Sequence, residues 1–137
     1  MSKLDDFCTD LQQKIYADTE KEFGTEFMSR WLNPRFAGRV ENPTKVVTTK
    51  PSCGKNLEIS LRLENNRVVE IAFFTDGCGS DVVCAEVACE LALNKSKEDI
   101  LNLSPEDIFK VVPKLALKSS GAAKAPIEAL KKVFEED

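Results

Sequence analysis

Leu57-Glu58-Ile59-Ser60-Leu61-Arg62-Leu63 alternates apolar and polar residues without a break. A period of two puts Leu57, Ile59, Leu61 and Leu63 on one face of an extended strand, so the chain must build a sheet with one face buried. Two neighbours share that character: Val68–Phe74 is rich in strand formers, and Lys45–Lys50 contains the β-branched run Val46, Val47, Thr48 and Thr49. Glu64-Asn65-Asn66-Arg67 between the last two has hairpin chemistry. The expectation is a three-stranded antiparallel meander. So small a sheet needs a cover.

Helical periodicity on both sides supplies one, which makes the fold class α+β, a three-stranded antiparallel sheet covered by helices. Leu4, Phe7, Leu11 and Ile15 recur at helical spacing, as do Phe23, Phe27, Met28 and Trp31, with a break between Asp18 and Gly24. Asn33-Pro34, Gly38 and Asn42-Pro43 mark a loop. Beyond the sheet, Ser80 is expected to cap a helix running through Leu93, with Asp81 in its first turn where the helix dipole favours a negative charge. Further helices are expected over Lys95–Leu103, over Ser104–Leu117 and from Ser120 to Phe134. Pro126 falls inside the last pattern and must sit in its first turns or kink it. The chain reads as a single domain over 1–137, with a helical segment at 1–32, a loop at 33–44, the sheet at 45–76 and helices at 80–134.

With 137 residues the chain can bury a core without a metal or disulfide to hold it, so any metal serves function. Its 23 acidic and 19 basic residues show no basic cluster, which gives no support to nucleic-acid binding. No apolar stretch reaches transmembrane length. The polar, acidic start Met1–Asp6 lacks the apolar segment of a secretory signal, so a cytoplasmic location is the expectation. Histidine is absent altogether, which excludes hydrolases built on Cys-His or Ser-His-Asp.

The five cysteines carry the remaining chemistry. An odd number in a reducing compartment points to metal-binding, reactive or buried thiols rather than a disulfide framework. Ser52-Cys53-Gly54 lies between two strands, and Gly77-Cys78-Gly79-Ser80 at a strand-to-helix turn. Glycine permits close backbone approach or positive φ, and a helix N-terminus favours thiolate. Cys78 is thus a candidate thiolate ligand or nucleophile, or else a small residue in a tight turn. Cys84 and Cys89 point about 140° apart on the following helix, so at most one faces the Cys53/Cys78 corner. Cys84, in the first turns, is the candidate, although it shares the apolar stripe of Val83, Val87 and Leu91; Cys89 reads as structural and Cys8 as incidental. Lys55 is a surface charge or a group that lowers the Cys53 pKa. Ser119 and Ser120 read as caps of the last helix, or as substitute ligands.

Asn33-Pro34-Arg35-Phe36-Ala37-Gly38, Ser52-Cys53-Gly54 and Thr75-Asp76-Gly77-Cys78-Gly79-Ser80 resemble three motifs of the IscU/NifU iron-sulfur cluster assembly scaffolds. The 25-residue step from Cys53 to Cys78 is similar too, and the resemblance runs from about Phe27 to Val133. It implies the SufE/NifU-like scaffold fold and a role in holding a labile [2Fe-2S] cluster, or zinc, with Cys53 and Cys78 as first and second ligands. Implied partners are a cysteine desulfurase and apo iron-sulfur acceptor proteins; no enzymatic activity beyond persulfide relay is implied. The sequence departs from the family at other ligands. Cys-Gly-Asp becomes Cys53-Gly54-Lys55, His-Cys falls in Lys118-Ser119-Ser120, and the chaperone-docking motif shrinks to Val112-Pro113-Lys114. Cys84 as third thiolate, or a homodimer contributing two thiolates from each chain, would complete the set. The alternative from another class is an interaction module in sulfur metabolism that keeps the fold without assembling clusters; a thiol- or zinc-based persulfide-relay enzyme ranks below both.

Overall fold

The computed structural model describes residues 11, 24–49, 56–77, 79–117 and 120–134. Of the helical segment predicted at 1–32, the part through Leu4, Phe7 and Ile15 lies outside the described residues, which include helical, half-exposed Leu11 and the stretch from Gly24 onward. In chain order the elements are α1 (Thr25–Leu32), β1 (Lys45–Thr49), β2 (Leu57–Glu64), β3 (Arg67–Thr75), α2 (Gly79–Ala92), α3 (Lys97–Leu101), α4 (Pro105–Val111) and α5 (Lys124–Lys132). Two 3₁₀ turns, Pro113–Leu117 and Ser120–Ala123, link α4 to α5.

The sheet is antiparallel in the order β1-β2-β3, as the alternation predicts. Asn65 and Asn66 close the hairpin with φ of 56° and 62°. That left-handed pair matches the right-handed twist of the flanking strands, and asparagine tolerates it. Leu57, Ile59 and Leu61 are buried on the inner face. Leu63, expected with them, is only half-buried because the register shifts between Arg62 and Leu63.

The connector at 33–44 is more structured than a loop. Phe73 donates its amide to Phe36 O and accepts from Gly38 N, both at 2.8 Å, forming a parallel bridge at the β3 edge. Gly38, at φ 129°, then turns the chain across the outer face of the sheet, where the Val40 amide donates to buried Ser60 Oγ at 2.9 Å. Thr44 N donates to Leu61 O at 2.8 Å, which leads the chain into β1.

Helices cover the inner face. The central one, α2, packs on β3, α1, α4 and α5, and Val83, Cys84, Ala85, Val87, Ala88, Cys89 and Ala92 are all fully buried. It begins at Gly79, so Ser80 sits inside the first turn rather than capping it. Pro105 opens α4, where Asp107 Oδ2 accepts from Ser104 N at 2.9 Å. The helix expected to reach Leu117 stops at Val111, because Pro113 forces the preceding residue out of helical geometry and Val112 adopts φ −125°. Pro126 is the third residue of α5, within the first turn, where its missing N–H is no loss. The described core, with Ile59, Leu61, Val68, Ile100, Ile108, Leu115 and Leu130 at its centre, forms one hydrophobic cluster. Burying each such side chain contributes about 1.5–3 kcal/mol. No helix among the described residues is long and apolar enough to cross a membrane.

Candidate functional site

The sheet ends where Thr49 pairs with Leu57 and Leu57 with Thr75. From this end the chain leaves β1 toward Cys53 and leaves β3 toward Cys78. Cys53, Lys55, Cys78, Ser119 and the Ser120 side chain lie outside the described residues. The residues that anchor the two cysteine segments are described in full.

Beyond the last backbone pair, the ladder continues through side chains. Asn56 N donates to Asp76 Oδ1 at 2.8 Å, and Thr75 Oγ1 donates to Asn56 O at 2.8 Å. Thr75 Oγ1 also accepts from Gly77 N at 3.1 Å. Asn56, three residues after Cys53, is therefore tied on both its N–H and its C=O to the segment that ends at Cys78. Chain connectivity confines Cys53 to within about 11 Å of Asn56.

At the glycines beside Cys78 the constraint is close approach, severe at Gly77 and tight at Gly79, and not positive φ. A Cβ on Gly77 would lie 2.6 Å from Asp81 Cβ, and one on Gly79 would lie 3.3 Å from Trp31 Nε1. Asp81 thus folds back over the turn from the first turn of α2, while the Trp31 indole lies along its first residue. Two carboxylates, Asp76 and Asp81, bracket the position of Cys78 in the sequence.

Cys84 and Cys89 are both fully buried, and neither forms a disulfide. The sequence expectation separated them by an apolar stripe, but α2 is enclosed on nearly every side, so no stripe distinguishes them. Burial pushes the Cys89 thiol well above its ordinary pKa, and the nearby Glu86 and Glu90 carboxylates push it the same way. Such a thiol stays protonated and is a poor ligand or nucleophile. Among the described residues no group of three cysteine or carboxylate side chains is close enough to hold a metal.

A second polar cluster joins the Asn33-Pro34-Arg35 segment to α2. Arg30 pairs with Glu90 through Nε at 2.5 Å and Nη2 at 3.0 Å, and Arg35 Nη2 reaches Glu90 Oε1 at 3.1 Å. Glu86 Oε1 accepts from Phe36 N at 2.9 Å. Together with Glu26, Ser29 and Asn33 these side chains line a cleft of about 270 Å³. Hydrogen bonding to Glu90 raises the Arg30 pKa, with burial opposing it. Sequence reasoning quoted Arg35 and Asp76 within motifs but assigned a role to neither, and it passed over Asn56 and the Arg30–Glu90 pair. Glu86 did carry a signal, as the one charge within Val82–Cys89.

Residues 22–135 match the model of the family described as NifU-like N terminal domain. The iron-sulfur cluster assembly enzyme IscU of Drosophila melanogaster is 31% identical over 109 residues, covering 74% of this chain and 71% of that protein. Iron-sulfur cluster assembly protein 1 of Oryza sativa is 28% identical over 123 residues, covering 84% of this chain and 72% of the relative. The solved N-terminal structure of a nitrogen-fixing NifU-like protein from Brucella abortus superposes with a TM-score of 0.67 at 10% identity, covering 83% of this chain and 92% of that one. At that identity the likeness speaks for the shared α+β fold.

Proposed function

The chain belongs to the NifU-like N-terminal domain family, and on that premise we propose that it is a cytoplasmic, single-domain scaffold on which an iron-sulfur cluster is assembled and from which it passes to apo acceptor proteins. The observation that supports this reading is the clamp at the sheet end, which holds Asn56, three residues after Cys53 in the sequence, against Asp76, two residues before Cys78. Two thiolates there offer the soft sulfur donors that iron-sulfur clusters and zinc prefer. The cargo is a labile [2Fe-2S] cluster, with zinc able to take the same thiolates.

Sulfur arrives from a cysteine desulfurase as a persulfide. The thiolate of Cys53 or Cys78 attacks its terminal sulfur, forming a scaffold persulfide and releasing the desulfurase cysteine as thiolate. Cys84 completes the thiolate set from the second turn of α2. Its complete burial means that the start of α2 must shift for its sulfur to meet the cargo. Ser119, Ser120 or a second subunit are the substitutes if Cys84 does not serve, and Lys55 offsets the negative charge of the thiolates.

Incubation with a desulfurase and free cysteine tests this directly. Mass spectrometry should find one added sulfur on Cys53 or Cys78, lost in Cys53→Ser/Cys78→Ser. Absence of transfer to any cysteine would contradict the reading. Gel filtration of apo and anaerobically loaded protein tests the shared-cluster arrangement, which a metal-loaded monomer rules out.

A further inference from the structure

We infer that α1 is a releasable strap on the central helix: latched by the Arg30–Glu90 ion pair, it opens from α2 as a unit while the sheet and the remaining helices stay folded. The inference does not depend on the scaffold reading above.

Gly79, Val83, Glu86 and Glu90 follow one another at steps of four, three and four residues, which places them within about 60° of one another on a single face of α2. The end of α1 and the residues after it meet that face at three points. The Trp31 indole lies along Gly79, the Phe36 amide donates to Glu86 Oε1 at 2.9 Å, and Arg30 grips Glu90 through Nε at 2.5 Å and Nη2 at 3.0 Å. Val83, between these points, is fully buried.

Three features make this cover separable from the rest of the fold. An eight-residue helix does not hold itself together in water, so α1 is helical because it rests on α2, the element it packs on most. Backbone outside helical geometry bounds it on both sides, with Gly24 at φ 96° and Asn33 at φ −137°. After Asn33, among the described residues, the chain is first fastened to the sheet at Phe36, whose carbonyl accepts the Phe73 amide. The core share of α1 is also small. Phe27 and Met28 are its buried side chains, whereas Ile59, Leu61, Val68, Ile108 and Leu130 at the centre of the core sit on other elements. Opening α1 leaves that centre in place, and units of this kind open below the free energy of global unfolding.

The latch is the polar half of the attachment. The Arg30 and Glu90 side chains are only 17% and 22% exposed, so their two-point, charge-assisted bond is mostly withdrawn from water. Arg35 Nη2 reaches the same carboxylate at 3.1 Å, which ties the chain beyond Asn33 into the latch as well. Release bares Phe27 and Met28 on the strap and the Gly79–Glu90 face on α2.

Native-state hydrogen exchange of the full chain at low urea concentrations, under conditions where exchange reports the opening equilibrium, tests both parts. Urea should accelerate exchange of the Thr25–Leu32 amides far less than exchange in β2 and β3, which require global unfolding. Ile59→Val, a change in the core away from the strap, should speed exchange in β2 and β3 severalfold and leave Thr25–Leu32 unchanged. Glu90→Gln and Arg30→Gln should each speed exchange of Thr25–Leu32 about tenfold. The double variant should exceed either single by less than about twofold, since all three lose the same pair. Equal urea slopes in α1 and the strands, or an Ile59→Val effect as large on Thr25–Leu32 as on β2 and β3, would overturn the strap. Exchange of Thr25–Leu32 that ignores Glu90→Gln and Arg30→Gln, or that adds up fully in the double variant, would overturn the latch.

Discussion

The Glu86 carboxylate, 1% exposed inside α2, accepts the Phe36 amide at 2.9 Å. This bond joins the central helix to the segment that bridges to the β3 edge through Ala37 and Phe73. Removing the acceptor would strand a main-chain N–H in a part-buried position, which costs about 1–3 kcal/mol. Glu86→Ala should lower the unfolding free energy from urea titration by that amount, whereas Glu86→Gln, which keeps an oxygen in place, should lose less than half as much.

Cys89 predicts a pH dependence. Its folded-state pKa is raised, by burial first and by Glu86 and Glu90 after it, while an unfolded chain loses that proton near the ordinary value of about 8.5. Between those two values the unfolded state binds fewer protons than the folded one, so stability falls as pH rises. The contribution is complete below about pH 8.5 and is lost progressively above it. Urea midpoints should therefore decline more steeply on the alkaline side in wild type than in Cys89→Ala, and Cys89 should resist alkylation until the protein unfolds.

The hairpin offers a test of backbone conformation. Asn66 sits at φ 62° in the β2–β3 turn. An alanine there would hold a left-handed conformation without asparagine's local hydrogen bonding, costing about 1 kcal/mol. Asn66→Ala should show that loss in thermal melting, and Asn66→Gly should match or exceed wild type.

Trp31 reports on the Cys78 turn. It is the chain's single tryptophan, and its indole lies along Gly79. Gly79→Ala would press a methyl group against Nε1, so the emission maximum should shift with little change in far-UV circular dichroism. Loading of the wild type should alter the same emission.

The sheet was legible because alternation from Leu57 to Leu63 and the paired asparagines are local signals. Two features resisted reading because they depend on distant residues. The bridge from Ala37 to Phe73 needs the folded sheet before it can form, and α2 has no readable stripe because neighbours enclose it on nearly every side. At the site, Cys53 and Cys78 stood out through their glycines. Asp76 did not, because its role as an acceptor arises only when the ends of β2 and β3 meet and Asn56 N–H comes within 2.8 Å. The burial of Cys84 was legible in its grouping with the apolar Val83, Val87 and Leu91, and the structure agrees.

The most direct test of the scaffold account is anaerobic reconstitution with iron and sulfide, followed by visible absorption. Wild type should show sulfur-to-iron charge-transfer bands, and Cys53→Ser, Cys78→Ser and Cys84→Ser should each abolish or strongly weaken them. Cys8→Ser and Cys89→Ser should leave them intact. Wild-type behaviour in Cys84→Ser would move the third ligand to Ser119, Ser120 or a second subunit. A wild-type protein that takes up neither iron nor zinc would contradict the account.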